Sequence, residues 1–531
     1  MFETVPVPSF GGGLNLTGHP AVIDPSEWTW CDGFLAKYGC AETLPTYVQV
    51  RDNAYLAGGV AHGLLQNPFR LDQAALVVAP GSPPKLFKVS ETGATTEVPW
   101  DGVGASPMSG PASLCMAGFL NGFLVISAGI SSTNSSLFKW NGGATFAAIN
   151  PSAPVRGLFL ASFGGHLVTA YTATSQAGAR TVRWSDANAE SVWDPAVSNS
   201  ADDVLLDDVE SGIVGMAPLG GDALGIFTGT AVYVLTPTGG IPSFTRQIFS
   251  LQGHTDIGVS DLGVLNPVQA QYIGVTPYGL VYCGHDDFYL VGSGGVGSRI
   301  FRYYLKRPGG TEDPPPAPFV WHRERGVLIV PKTKVVQGLD TLEFLYFDPT
   351  THAWSRGRAV KNDGSPLWIR AHALITSRLV GNNVPNRRHW LISADISDPG
   401  AIYREDPSTA IAGAFVDTKD FAFEDPLDDD YLDRIKLDWE PLTNAATDAI
   451  EVLAYTRNDL TQIIGSPGFE QDFTSLFVSQ GTLTGAQSEL PLRLRGRYTR
   501  LRFKQVSGRV RIRGFSLRRE RAGDRRASTP A

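Results

Sequence analysis

The sequence predicts an all-β protein, a β-propeller of six or seven blades followed by a C-terminal β-sandwich. Three observations lead there. Short apolar runs recur in pairs separated by turn residues along most of the 531-residue chain. Most of these units end on Trp or Tyr about 40 residues after the previous one, a period that suits propeller blades. Glycine (58) and proline (36) make up about 18% of the chain, against an average of roughly 12%, yet they are spread among apolar runs and mark turns.

The elements follow in order. Residues Gly11 to Tyr47 are read as irregular, with a loop at GGGLNLTGHP and a turn plus short strand at DGFLAKYG (Asp32 to Gly39). Hairpins then come in series: Ala74 to Val78 with Leu86 to Val89 and Trp100, Phe119 to Ser127 with Ser136 to Trp140, and Gly157 to Tyr171. Arg180 to Pro195 (RTVRWSDANAESVWDP) is the organising stretch. Thr181 to Trp184 alternates as a strand, and Ser185, Asp186 and Asn188 favour a turn by bonding nearby backbone. Trp193 returns beyond the turn, so Trp184 and Trp193 are expected to plug one core from both ends. Further hairpins lie at Ile213 to Val234, Tyr272 to Val291, Phe319 to Trp354 and Trp390 to Tyr403. SRIFRYYLKR (Ser298 to Arg307) is the one stretch suited to a short helical turn, and PGGTEDPPPAP after it to a stiff loop.

Longer alternating strands begin near Ile411. In RYTRLRFKQVSGRVRIRGFSLRRE, Leu501, Phe503, Val510, Ile512 and Phe515 should face a core, and Arg500, Arg502, Lys504, Arg509, Arg511 and Arg513 should face out. The expected division is an irregular segment with a closing strand (1–47), a propeller (48–410), a sandwich (411–520) and a disordered tail (521–531).

Composition narrows the function. A net charge of −8 excludes a general nucleic-acid binder. Cys31, Cys40, Cys115 and Cys283 lack metal-ligand spacing; Cys31 and Cys40 could pair, but buried free thiols are the better reading. MFETVPVPSFGGG carries no secretory pattern, and no apolar run reaches the roughly 18 residues of a membrane helix, so a cytosolic, soluble product without membrane insertion is expected.

The chemical motifs are weak. GSGGVG (Gly292 to Gly297) matches the letters of a dinucleotide fingerprint but lacks the βαβ unit that brings pyrophosphate to a helix N-terminus; a hairpin loop fits better. WSDANAESVW invites comparison with the Asp-box of sialidase-type propellers, yet Asp186 follows Ser185 directly and no glycine sits in the turn. A glycosidase built on distant carboxylates is the enzyme alternative. GHDDFY (Gly284 to Tyr289) places His285, Asp286 and Asp287 at a turn without further ligands. No nucleophile elbow, P-loop or HExxH is present, so no catalytic, cofactor or metal residues are assigned.

Two acidic segments remain, Ser200 to Gly212 and Phe423 to Asp433. Asp202, Asp203, Asp207, Asp208 and Glu210 are candidate channel-lining residues that would repel DNA phosphate and let a duplex slide; the plainer reading is a solvated face. The basic C-terminal strands would meet acidic neighbours on another subunit or, less fittingly, nucleic acid.

Arg183 to Trp193 resembles RVRWSDxG-x-P-x-x-W, a recurring string in tail proteins of tailed bacteriophages, with Ala189 where glycine is usual. GGLN (Gly12 to Asn15), DGFLAKYG, PLGGDALGIFTGTAVYVL and the ending RGRYTRLRF…RIRGFSL are similar to the same family in the same order. The resemblance implies a tail hub or nozzle protein of short-tailed phages, the tail tubular protein B type. It implies a non-catalytic homohexameric ring in the virion tail, assembled in the host cytoplasm. Portal and adaptor proteins would sit above it and fibres or spikes at its side or tip. Double-stranded DNA would pass through without specific binding. A baseplate or fibre-adaptor protein whose sandwich contacts a receptor is the structural alternative.

Overall fold

The computed structural model describes residues 2–15, 23–57, 59, 61, 63–79, 85–102, 116–127, 137–149, 155–173, 175–207, 212–219, 223–228, 232–239, 244–249, 273–283, 288–291, 297–299, 319–336, 339–378, 385–395, 397–422, 431–457, 476–485, 487–496 and 498–520. The protein is all-β. Among the described residues helix is confined to two short 3-10 turns, Asn53–Leu56 and Gly178–Arg180, and a single 3-10 residue, Leu476.

Local sequence sets the hairpins. Tyr38–Gly39, Asn121–Gly122 and Gly164–Gly165 each link two antiparallel strands, and all six residues have positive φ, between 49° and 80°. Paired positive φ values give the two-residue turn whose twist matches that of the flanking strands.

Among the described residues, six antiparallel sheets of four strands, and four strands at one end of a ten-stranded sheet, form seven blades. The first is Gly63–Gln66, Ala75–Ala79, Lys85–Val89 and Thr95–Val98. The second is Met116–Leu120, Phe123–Ser127, Leu137–Trp140 and Ala147–Ala148. The third is Phe159–Phe163, His166–Ala170, Thr181–Trp184 and Asp202–Leu205. The fourth is Ile213–Pro218, Leu224–Thr228, Val232–Pro237 and Phe244–Phe249, and the fifth is Ile273–Thr276, Gly279–Cys283, Phe288–Val291 and Gly297–Arg299. The sixth is Val320–His322, Val327–Val336, Leu339–Asp348 and Ala353–Arg358. The seventh joins Ile369–Ser377, Asn386–Ser393 and Ile402–Asp406 to Thr46–Arg51, a strand from the other end of the chain.

The first strand of each blade lies against the first strand of the next, and the seventh lies against the first. That cyclic order makes a closed ring of seven blades, and Thr46–Arg51 closes it. Separate apolar layers fill the joints, one between the first and second blades around Phe138 and Trp140 and another between the seventh and first around Trp390.

The N-terminal segment departs from expectation. Phe2–Val7, Gly13–Leu14, Glu27–Asp32, Phe34–Lys37 and Cys40–Thr43 are strands of the sandwich. Glu27–Asp32 pairs with Phe415–Ala422, and Thr29 Oγ1 donates to the Thr418 carbonyl across 389 residues of sequence. No local pattern reports a partner so distant. The sandwich is therefore built from both ends of the chain, and residues 411–520 are only part of it.

One of its sheets is continuous with the sixth blade. Ala353–Arg358 pairs with Phe34–Lys37, and the same ten-stranded sheet runs on through Cys40–Thr43, Val510–Glu520, Tyr431–Pro441 and Glu489–Arg495. Ala36 N donates to Ser355 Oγ (2.6 Å), and the Arg356 guanidinium lies 3.9 Å from the Trp30 ring centroid. The opposite sheet contains Glu27–Asp32, Phe415–Ala422, Tyr498–Ser507, Ala449–Arg457 and Val478–Thr484. Between the sheets, Phe10 stands edge-on to Phe503 and Phe515 (5.5 and 5.3 Å). Leu501, Phe503, Val510, Ile512 and Phe515 are all buried, as their alternation predicts.

The stretch Ser298 to Pro318 lies outside the described residues apart from Ser298 and Arg299, as do GSGGVG except its last glycine, and the tail 521–531.

Candidate functional site

The turn at Ser185 holds the third blade together and to its neighbour. Leu167 N donates to Ser185 Oγ (3.1 Å), and Ser185 N donates to the Leu167 carbonyl (2.9 Å). Asp186 accepts from Ser200 N (2.8 Å) and Ser200 Oγ (2.6 Å), which hold its carboxyl below the usual range. Arg183 donates to the Trp193 carbonyl from Nε (3.1 Å) and Nη2 (2.7 Å) and reaches Asp194. These bonds fold residues 185–200 back onto the strand before them.

Trp184 and Trp193 do not share a core. Trp184 packs among Val182, Met216, Ile226, Tyr233 and Phe244, the layer between the third and fourth blades. Trp193, 1% exposed, packs among Leu120, Val125, Leu137, Leu160 and Leu167, the layer between the second and third. Its indole N–H donates to the Glu190 carbonyl (2.7 Å). The polar turn carries the chain around the blade, so the two rings end on opposite faces. Glu190 adds a polar link, accepting from Lys139 of the second blade (3.1 Å). Burial pushes the Glu190 carboxyl up, but hydrogen bonds from Ser191, Lys139 and Asn121 outweigh it and leave it lowered.

Asp202 and Asp203 sit in Asp202–Leu205, the strand of the third blade farthest from its inner strand. Asp203 faces solvent, and Asp207 is exposed 3.7 Å from Arg246 of the fourth blade. These carboxylates therefore lie at the outer edge of the ring, away from the axis of their own propeller. Asp208 and Glu210 lie outside the described residues, as do Asp286, Asp287 and His285.

The basic C-terminal strands find their carboxylates within the chain, which corrects the expectation that their arginines all face out. Arg500 and Arg502 are buried and grip Asp420 (2.8 and 3.1 Å) and Asp417 (2.6 and 2.9 Å) in two-pronged pairs. Phe415 and Phe477 flank the Arg502 guanidinium at 3.9 and 4.3 Å. Arg509 and Arg511 reach Glu42 (2.6 and 2.8 Å), Arg513 reaches Glu440, and Arg518 reaches Asp433. Alternation places these side chains opposite the core correctly, but it cannot show that the other face is partly covered and already neutralised.

Cys31 and Cys40 are free thiols; Cys31 is buried, and burial pushes it up to about 12. Among the described residues no group of three or more His, Cys, Asp or Glu side chains could hold a metal ion. No described helix is long and apolar enough to cross a membrane.

One buried polar cluster has little trace in the sequence. Between the sixth and seventh blades, Tyr47 Oη lies 2.7 Å from His389 Nδ1, and His389 Nε2 lies 2.7 Å from His372 Nδ1. Beside them Glu405 pairs with Arg325 and stands 3.5 Å from His322 Nε2. All three histidines, Tyr47 and Glu405 are buried. The only signal was a histidine inside each of three apolar runs, VWH, AHAL and RHWLIS.

No family model and no curated protein matches the sequence. Solved structures do resemble the fold. PorZ, a bacterial surface component of the type-IX secretion system of Porphyromonas gingivalis, is 10% identical with a TM-score of 0.35; the match covers 78% of this chain and 44% of PorZ, so the chain spans less than half of that protein's length. Virginiamycin B lyase from Staphylococcus aureus is 8% identical, with 68% of this chain and 98% of that one covered and a TM-score of 0.36. The Neurospora crassa Pan2 WD40 domain is 8% identical, covering 68% and 94%, at a TM-score of 0.37. The blade count rests on the strand pairing described above.

Proposed function

We propose that this chain is a structural protein of a bacteriophage tail, a nozzle or hub subunit that assembles as a homohexameric ring through which DNA is retained and ejected. The observation that carries the reading is the ten-stranded sheet running from the sixth blade into the sandwich. Propeller and sandwich share a backbone ladder and a core, so the subunit suits a part that bears load between an adaptor above and fibres or spikes beside it. The motifs that resemble the family serve the same end: Arg183 to Trp193 stitches two blades, and Asp32 to Gly39 joins the sixth blade to the sandwich. Asp202, Asp203 and Asp207, on the outer edge of a blade, suit a lumen shared by several copies better than the axis of one propeller. There they would repel DNA phosphate.

Light scattering and electron microscopy of the purified chain, alone and with its portal and adaptor, test the reading. A sixfold ring is expected. A stable monomer under every assembly condition overturns it.

A further inference from the structure

We propose that the tip of the seventh-blade hairpin, formed by Ile369–Ser377 and Asn386–Ser393, grips the phosphate backbone of double-stranded DNA through Arg378 and Arg387, with Arg388 beside them. The proposal rests on the nozzle reading above and names the contact by which such a ring retains its DNA.

The sequence sets the charge. Residues 364–394 hold four arginines, Arg370, Arg378, Arg387 and Arg388, and no Asp or Glu, in a chain whose net charge is −8. Between Arg378 and Arg387 no residue is charged. A patch of one sign attracts its counter-charge locally even on a protein of the opposite net sign. Surface arginines elsewhere are matched, Arg358 by Asp32, Arg434 by Glu489 and Arg513 by Glu440. Arg378 and Arg387 have no hydrogen-bond or ion-pair partner among the described residues. The carboxylates that border the tip are engaged. Asp72 takes both prongs of Arg70 (2.9 and 2.6 Å), and Glu91 accepts from Asn386 (3.3 Å) and pairs with Arg404 (3.1 Å). Asp406, which feels the Arg388 charge, accepts from Ser408 N and Oγ (3.0 and 2.6 Å).

The tip is held in place. Thr376 N donates to Gln66 Oε1 (2.6 Å) and Gln66 Nε2 donates to the Thr376 carbonyl (3.1 Å), while Arg378 N donates to the Leu71 carbonyl (2.8 Å), so the first blade braces the end of the strand. Thr376 stands opposite Arg387 and Ile375 opposite Arg388, which sends the two arginines to opposite faces of the hairpin, and Arg378 is exposed just beyond. Ile369–Ser377 is the innermost strand of its blade, so this cationic end lies at the rim of the ring's opening. Guanidinium is planar, permanently charged and forked to match two phosphate oxygens. A carboxylate surface needs a matched geometry at each arginine. A duplex presents a phosphate about every 1.7 Å of its axis and meets the tip at any register, which suits DNA in transit. Such contacts position DNA without reading its sequence.

Fluorescence anisotropy of a mixed-sequence duplex with the full chain, between 50 and 200 mM salt, tests the contact. Affinity is expected to fall steeply with salt. An Arg378→Gln, Arg387→Gln double variant is expected to bind at least about tenfold more weakly at the low end and to flatten the slope of log K against log salt by about two. Arg378→Gln alone, at an exposed position, flattens it by about one and decides the matter should the double variant not fold. Arg513→Gln removes an arginine that is already matched and should change affinity less than about twofold. No loss in the tip variants, or an equal loss in Arg513→Gln, overturns the proposal. Polyglutamate that competes as well as duplex of equal charge identifies a carboxylate occupant and also overturns it. Sizing of the same samples separates the two readings: a ring without tip-dependent binding removes this contact alone, and tip-dependent binding by a chain that never forms a ring supports the contact and removes the nozzle.

Discussion

Replacing Trp193 by alanine tests the claim that the two tryptophans of the third blade serve different joints. The ring is 1% exposed and lies among Leu120, Val125, Leu137, Leu160 and Leu167. An aromatic side chain buries about 150–250 Å², which at about 25 cal/mol per Å² is worth about 4–6 kcal/mol. Alanine keeps part of that area, while the cavity and the lost hydrogen bond to the Glu190 carbonyl add cost, so a loss of about 3–5 kcal/mol is expected. A chain of 531 residues need not unfold in one step, so local hydrogen exchange is the better assay. Trp193→Ala should deprotect Met116–Leu120, Phe123–Ser127 and Phe159–Phe163 first. Trp184→Ala should instead deprotect Ile213–Pro218 and Leu224–Thr228, where Met216, Leu224 and Ile226 lose their partner. Identical deprotection patterns in the two variants, or a Trp193→Ala cost below about 1 kcal/mol, would refute the assignment of opposite faces.

Asp417→Asn should destabilise the sandwich by about 3–5 kcal/mol by stranding the buried Arg502 charge, whereas Asp417→Leu with Arg502→Met should cost much less; urea denaturation of the pair separates the two. A chain lacking residues 1–51 loses five sandwich strands and the closing strand, and limited proteolysis should find both the sandwich and the seventh blade cut rapidly. Cys31 should resist alkylation at pH 8 in the native protein and react in urea, while the partly exposed Cys40 reacts in both, as peptide mapping would show. If Asp202, Asp203, Asp207 and Asp208 face a shared lumen, changing them to asparagine should slow DNA release from virions without blocking assembly; unchanged ejection kinetics would end that idea.

The sequence alone determined what short-range physics controls. Turn residues and period-two alternation fix hairpins within a few residues, so the all-β class, the recurring units and the inward set Leu501, Phe503, Val510, Ile512 and Phe515 were legible. Tertiary structure decided what depends on distant partners. Seven blades emerge only when the first strands meet in a ring, and Glu27–Asp32 becomes sandwich only beside Phe415–Ala422. Alternation says that Arg500 and Arg502 oppose the core, yet burial on the far side depends on Asp417, Asp420, Phe415 and Phe477 arriving there. Trp184 and Trp193 are nine positions apart and end in different cores because the path of one polar turn, set by Ser185, Asp186 and Ser200, carries the chain around the blade. The three histidines converge from two blades for the same reason: packing brings together side chains that no sequence window holds at once.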